Sequence, residues 1–430
     1  MESLKELPKK LKWLYDAGML HILSSSFFNK ACTFVGNVFV VRILTKAEYG
    51  TFGYADSIMS FVINFAGLGM TSGVLQFCSE QRNENEKLAY AKFGLNFGVL
   101  SSFVLSIGCL LYGTLGSFSI HGSKLVFMVY SFYPITYFLF SYYSVIFRYR
   151  KENKKYAFLT NVNAAIYAVT EIIASYFINE FGMVVALYLS TIIASLIGMR
   201  YMRRNMDPGE FRLNREQRMG IIRYSAYSFL SYAMTNLLLV LDIFLIGTLI
   251  ADPETLAVYK IAVTIPLTMM IVPNSIVVFV YPYFAEHQRD YDWLKINFKK
   301  LIKNSILINF LISAALIAFA PFIIRTIWGT AYMDSVTPFR ILSLNYFFQG
   351  TFRFTTINIM NALNRVEVVL VANLAAVLID LTLDLWLIPK YGMIGAAVAT
   401  LSTVIVTTLI LLPSLARYFM RLKADCGRQH

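Results

Sequence analysis

Six ionisable side chains stand inside apolar runs. Lys30 interrupts LSSSFFNKACTFVGNVFVV, Asp242 interrupts LLLVLDIFLIGTLI, and Arg353 lies in FFQGTFRFTTI. Glu171 lies in AVTEIIASYF, and Asp380 and Asp384 lie in LIDLTLDLWLI. A charge in hydrocarbon costs about 2.5–3.5 kcal/mol on insertion scales, so it is kept where it meets a partner or a wet cavity. Lys30 and Arg353 are candidates to hold an anionic group by charge-assisted hydrogen bonds. Asp242, Glu171 and Asp380 are candidates to line a lumen and to carry a proton or Na⁺, or to orient the cations. For each, the alternative is a buried ion pair that fixes helix packing. Asp384 is four residues from Asp380 and so shares its helix face, but it is expected nearer the outer end of its span.

Such residues need spans around them. The 430-residue chain is 57% hydrophobic and 15% charged, with a mean hydropathy of +0.59. So few charges on so much apolar sequence exclude an ordinary soluble protein. Apolar runs near the ~20 residues that cross a bilayer predict twelve helices, at 17–43, 51–78, 89–113, 124–147, 156–178, 182–202, 223–250, 256–285, 300–325, 336–362, 366–388 and 392–416.

Charge orients them. The two termini and every second connection between spans hold 28 of the 38 Lys and Arg residues; examples are Arg148, Arg150, Lys151, Lys154 and Lys155 after the fourth span. The alternate connections, such as NEFG, ADPET and PKYG, are short and poor in cations. Cytoplasmic loops carry the Lys/Arg excess. A cytoplasmic (inner) membrane protein with both termini cytoplasmic is therefore expected. The net charge of +13 suits an anionic inner leaflet, and its spread over many loops argues against nucleic acid. MESLKELPKKLKW reads as an interfacial segment. Neither the four cysteines nor the four histidines form a metal-ligand cluster, so no metal site is expected.

The sequence also repeats itself. INEFGMVVA at 178–186 matches IPKYGMIGA at 388–396, a spacing of 210, and Asn163 answers Asn373 in the same register. A weaker echo with a spacing of 205 places Tyr54 opposite Tyr259 and Asn37 opposite Asp242. Six spans separate the copies, so both halves enter the membrane in the same sense and the repeat is parallel. The expected fold is all-α, with two parallel six-helix bundles related by a pseudo-twofold axis along the membrane normal around a central lumen. The expected domains are 1–205, a cytoplasmic linker at 206–222 containing Asp207-Pro208-Gly209, and 223–430.

Bends within the spans are a second signal. Gly69 and Gly73 in GLGMTSG form a small-xxx-small face for close helix contact, or soften the helix. Pro266 and Pro273 in the eighth span lack backbone donors, and a hinge is expected around Pro273. The aromatic fourth span, VYSFYPITYFLFSYYSVIFRY, offers rings for sugar stacking or for packing.

The phrases VVRILTKAEYGTFGYADSI, NFAGLGMTSGVLQF, LDIFLIGTLI followed by VYKIA, and IPKYGMIGAAVATLS resemble those of Wzx-type polysaccharide-unit flippases of O-antigen or teichuronic type. These belong to the superfamily that also holds the multidrug exporters. The resemblance runs along essentially the whole chain. It implies translocation of undecaprenyl-diphosphate-linked oligosaccharide between the leaflets by alternating access, for polysaccharide biosynthesis in the cell envelope, without enzymatic chemistry. It also implies membrane lipids, a polymerase and a chain-length regulator as partners, and a monomeric chain. Arg42, in the VVRIL phrase, would meet the diphosphate or anchor the helix, and Asn37 would join Lys30 and Arg353 in the lumen. No cofactor is expected beyond a coupling proton or Na⁺. Two deep cations against three acids point away from a strongly anionic glycan. The alternative is a cation-coupled drug or metabolite exporter of the same superfamily.

Overall fold

The structure, a computed structural model, describes residues 19–80, 83–202 and 211–426. The proposed interfacial segment and residues 206–210 of the expected linker lie outside the described residues. Among the described residues every regular element is helical.

In chain order the helices are α1 (Met19–Ile43), α2 (Lys46–Val62), α3 (Met70–Ser79), α4 (Glu84–Leu115), α5 (Ser123–Tyr130), α6 (Tyr133–Tyr149), α7 (Asn153–Ile178) and α8 (Glu180–Met202). They continue as α9 (Arg215–Leu249), α10 (Pro253–Met269), α11 (Ile271–Glu286), α12 (Tyr291–Ile327), α13 (Val336–Phe348), α14 (Phe354–Ala362) and α15 (Val366–Cys426). Their starts follow local chemistry. Thr45 and Glu48 form a reciprocal capping box at α2, and the Asn83, Asp252 and Asp290 side chains accept first-turn N–H groups of α4, α10 and α12. These contacts satisfy donors that a helix leaves open at its N-terminus.

Seven helical stretches are long and apolar enough to cross a bilayer, and α5 with α6, bent by 45°, makes an eighth. Dividing α15 at Gly392 and adding α1, α9 and the α13–α14 pair gives twelve spans. The all-helical, roughly twelve-span membrane architecture read from the sequence is the one the protein has. The expected linker at 206–222 is shorter in the structure, because α9 already begins at Arg215.

Besides the bend between α5 and α6, three further spans are interrupted among the described residues, and these interruptions refine the sequence reading. Between α2 and α3, residues Ile63–Gly69 leave the α-helical path, with Ala66 extended and Gly67, Leu68 and Gly69 at positive φ. Gly69 is therefore not part of a regular helical small-residue face: it is the left-handed cap of α3. Close approach still occurs there. A Cβ on Gly69 or on Gly73 would collide with Ser225 of α9. The eighth span breaks at Met270, between α10 and α11. Pro273 sits buried in the first turn of α11, and, lacking an N–H, it cannot bond the Met269 carbonyl four residues back, so the break falls just before it. The tenth span carries a π-helical turn, Gln349–Arg353, between α13 and α14.

The chain forms two compact units that meet in sequence between Asn236 and Leu237, within α9. In the first, α1 and α8 pack along α7. Its core joins Met70, Val74, Tyr90, Phe138, Tyr142 and Ile146. A core of the second joins Phe284, Leu294, Met360, Leu411 and Leu415.

Candidate functional site

In the second unit, α9 and α15 bring three carboxylates together. The Asp242, Asp380 and Asp384 oxygens lie within 4.8 Å of one another, and all three side chains are buried. Asp242 Oδ2 accepts hydrogen bonds from the hydroxyls of Tyr259 on α10 and Thr400 on α15, both at 2.6 Å. Among the described residues, Asp242 Oδ1, Asp380 Oδ1 and both Asp384 oxygens have no hydrogen-bond partner. Three anions this close cannot all stay ionised in a buried site without compensation. Hard oxygen donors of this kind suit a proton or a small hard cation.

A cation stands near them. Arg353 lies in the π-helical turn, is 8% exposed, and acts electrostatically on Asp380. Its guanidinium donates to Gln349 Oε1 at 3.3 Å and to Asn373 Oδ1 at 3.0 Å. Its Nε has no partner. π-turns often mark functional sites, and this one sets a charged donor facing the acidic cluster's side of the unit without a carboxylate bonded to it.

The first unit builds a related cluster with fewer charges. Glu171 on α7 is 1% exposed and lies so close to Gly36 of α1 that any Cβ at 36 would strike its Oε1. Tyr167, one turn earlier, hydrogen-bonds Glu171. Next to Gly36, Asn37 Nδ2 donates to the Tyr49 hydroxyl at 2.8 Å. Asp56 of α2 accepts from Tyr130 at 3.4 Å.

The two clusters correspond, but not in the register read from the sequence. Asn179 (φ 51°, ψ −134°) and Gly392 (φ 59°, ψ −138°) adopt the same rare conformation where the paired helices meet. Three residues later, Gly182 presses on the backbone of Ala174 and Ser175, as Gly395 presses on that of Leu387 and Ile388. The same offset of 213 fits all four positions. The matched phrases are therefore three residues out of register, because both turns need glycine and small residues at more than one place. In the structural register Glu171 answers Asp384, and Tyr167 answers Asp380.

The structure thus brings Asp242 and Asp380 together, with Arg353 in the same unit. It adds Asp384, which the sequence reading had set apart. Thr400, Tyr259, Tyr167 and Asp56 were not singled out from the sequence. Asp56 stands only five residues inside an expected span, and the hydroxyls sit among many others. Lys30 and Arg42 are exposed on α1, and Asn37 is half-buried.

Comparison with known proteins fits this geometry. Residues 17–288, more than half of the chain, match a family described as polysaccharide biosynthesis protein. Among curated proteins none matches the chain. A multidrug-resistance MATE transporter of the MOP superfamily in an inward-facing conformation superposes with a TM-score of 0.72 at 14% identity, covering 92% of this chain and 95% of the other. The lipid II flippase MurJ, in an inward closed conformation, gives 0.73 at 18% identity, covering 94% and 90%. A MOP-superfamily transporter from Pyrococcus furiosus gives 0.63 at 15% identity, covering 95% and 96%. The protein is a multi-span membrane protein with the fold of the MOP-superfamily transporters. It belongs to the polysaccharide biosynthesis protein family.

Proposed function

We propose that the chain is a flippase. It moves an undecaprenyl-diphosphate-linked oligosaccharide from the inner to the outer leaflet of the cytoplasmic membrane by alternating access, with both termini on the cytoplasmic side. The observation that carries this reading is the family match over residues 17–288 on a chain whose fold is a transporter's. The site supports it from the side of chemistry. Arg353, with an unsatisfied Nε, supplies a donor for the diphosphate, and Lys30, Asn37 and Arg42 are further contacts along α1. Asp242, Asp380 and Asp384 supply the coupling site for a proton or Na⁺, with Glu171 as its counterpart in the first unit.

The two functions are linked through Arg353. While the triad is anionic, Asp380 attracts the guanidinium. Asp380 and a phosphate oxygen of the substrate are thus rival partners for one guanidinium.

The test is deletion and complementation in the native cell. The expected result is loss of surface glycan, accumulation of the lipid-linked oligosaccharide on the inner leaflet, and unchanged drug sensitivity. Intact surface glycan together with drug sensitisation would replace this reading with the drug-exporter one.

A further inference from the structure

The break between α2 and α3 opens onto a cleft of about 190 Å³ inside the first unit. It is lined by Asn64, Thr71, Ser72, Tyr137, Ser141 and Ser228 as polar groups, with Phe138 and Phe229 as rings. Among the described residues, no Lys, Arg, Asp or Glu lines it. We infer that this cleft binds one uncharged sugar ring of the transported glycan.

Three observations carry the inference. The first is the backbone. Irregular main chain at membrane depth persists only where it is buried in protein or lines a wet cavity, and transporters commonly build substrate sites at discontinuous helices. Residues Ala66 to Gly69 leave the α-helical path beside the cleft.

The second is the wall. Gly67 and Gly98 both close on the Phe138 ring, which is 1% exposed, so the ring is wedged as a fixed floor. The Phe65 and Phe229 rings pack with centroids 4.7 Å apart. Asn64 is held by its own amide: Nδ2 donates to the Ser60 and Phe61 carbonyls at 3.0 and 2.9 Å, and Oδ1 accepts from Asn236 at 2.8 Å. The polar groups are thus presented on a rigid frame, which lowers the cost of ordering them around a ligand.

The third is the chemistry of the lining. The hydroxyls can donate to and accept from sugar hydroxyls, Asn64 Oδ1 can accept one further bond, and the half-buried Phe229 ring can cover the apolar side of a pyranose ring. A uronate or a phosphate would find no counter-charge and would be desolvated for nothing. The volume is below the ~300–1,000 Å³ of sites for drug-sized ligands, so the cleft takes one ring and not the whole oligosaccharide. A bilayer lipid tail would find too many polar groups.

This reading rests on the flippase proposal for its biological substrate, and the experiment separates the two. Full-length protein in nanodiscs is probed by saturation-transfer NMR with methyl glucoside, methyl N-acetylglucosaminide and methyl glucuronide. The two neutral glycosides should give saturation transfer and the glucuronide none. Ser141→Phe, which fills the cleft, should abolish the transfer. The milder pair Tyr137→Phe and Thr71→Val should weaken binding by about tenfold, as expected when hydrogen bonds to the ligand are lost. Equal signals from glucuronide, or transfer unchanged in all three variants, would overturn the inference. In cells, wild-type glycan export by folded Ser141→Phe protein would overturn it while leaving the flippase reading intact. Intact glycan in the deletion strain would instead sink the flippase reading, and the NMR comparison would still decide what the cleft binds.

Discussion

In the first unit Glu171 lies against Gly36, beside Asn37, with Tyr167 one turn before it. In the second unit Asp384 lies beside Asp242, with Asp380 one turn before it. The offset of 213 carries Glu171 and Tyr167 onto Asp384 and Asp380, and the 205 echo of the sequence sets Asn37 opposite Asp242. The charge differs. Where the first unit has an amide and a phenol, the second has two further carboxylates. The two units each hold a buried acid at corresponding places, and the negative charge is concentrated in the second. A lone buried carboxylate can remain protonated and quiet beside tyrosines. Three within 4.8 Å of one another bind something or hold protons, and the ion coupling proposed above is assigned to the second unit on that ground.

Four experiments break or sharpen that comparison. The largest effect belongs to Asp242→Asn, which gives the second unit the residue that the first has at Asn37. Gradient-driven transport in vesicles should fall about 10–100-fold, the weight of one contact to a charged group. Unchanged dependence on both the sodium and the proton gradient would remove the coupling role from the triad.

Next is Asn37→Asp, the reverse exchange. It sets a second carboxylate in the Glu171 cluster, and two neighbouring acids resist joint ionisation. Transport should decline, and the decline should grow from acid to alkaline pH. A pH profile parallel to the wild type would show that position 37 is not in electrostatic contact with Glu171.

Gly36→Ala tests the contact itself. Its Cβ would displace Glu171 Oε1 from where it stands, and overpacking of this kind costs about 1–3 kcal/mol. The thermal midpoint in detergent should drop, and adding Glu171→Ala should restore much of it. A drop that the second substitution leaves unrelieved would place the strain elsewhere.

The smallest effect concerns the shared turn. Gly392→Ala should cost about 1–2 kcal/mol because of its positive φ, with only Ile250 nearby at 3.9 Å from the new Cβ. Gly392→Asn should cost less, since asparagine tolerates positive φ better and Asn179 already occupies the equivalent place. Equal losses for the two would count against the 213 register.

Much of this was legible in the sequence because hydropathy and charge act on short stretches. Twelve runs of apolar residues announce twelve spans, and the starts of α2 and α10 are written in Thr45, Glu48, Asp252 and Pro253. Asp242 and Asp380 stood out because each is costly where it is. Asp384 was as visible, but its placement was not. Its distance from the end of the apolar run suggested an interface, whereas its neighbours lie on another helix. The register of the repeat failed for a related reason. A phrase of glycine and small residues matches itself at several shifts, and only backbone angles choose among them. The breaks at Ile63–Gly69 and Met270 show the same limit, since glycines and prolines permit a bend over several residues without saying which one bends.

The sequence by itself determined that the chain is helical, crosses the membrane many times, repeats itself, and keeps a few charges where hydrocarbon would expel them. Those properties are sums over local residues, and the bilayer reads them one span at a time. Tertiary structure decided which charges meet. Asp242 reaches Asp384 and Thr400 across more than a hundred residues, and Glu171 closes on Gly36 in the same way. Such contacts depend on helix rotation and on where each span breaks, which no local pattern encodes.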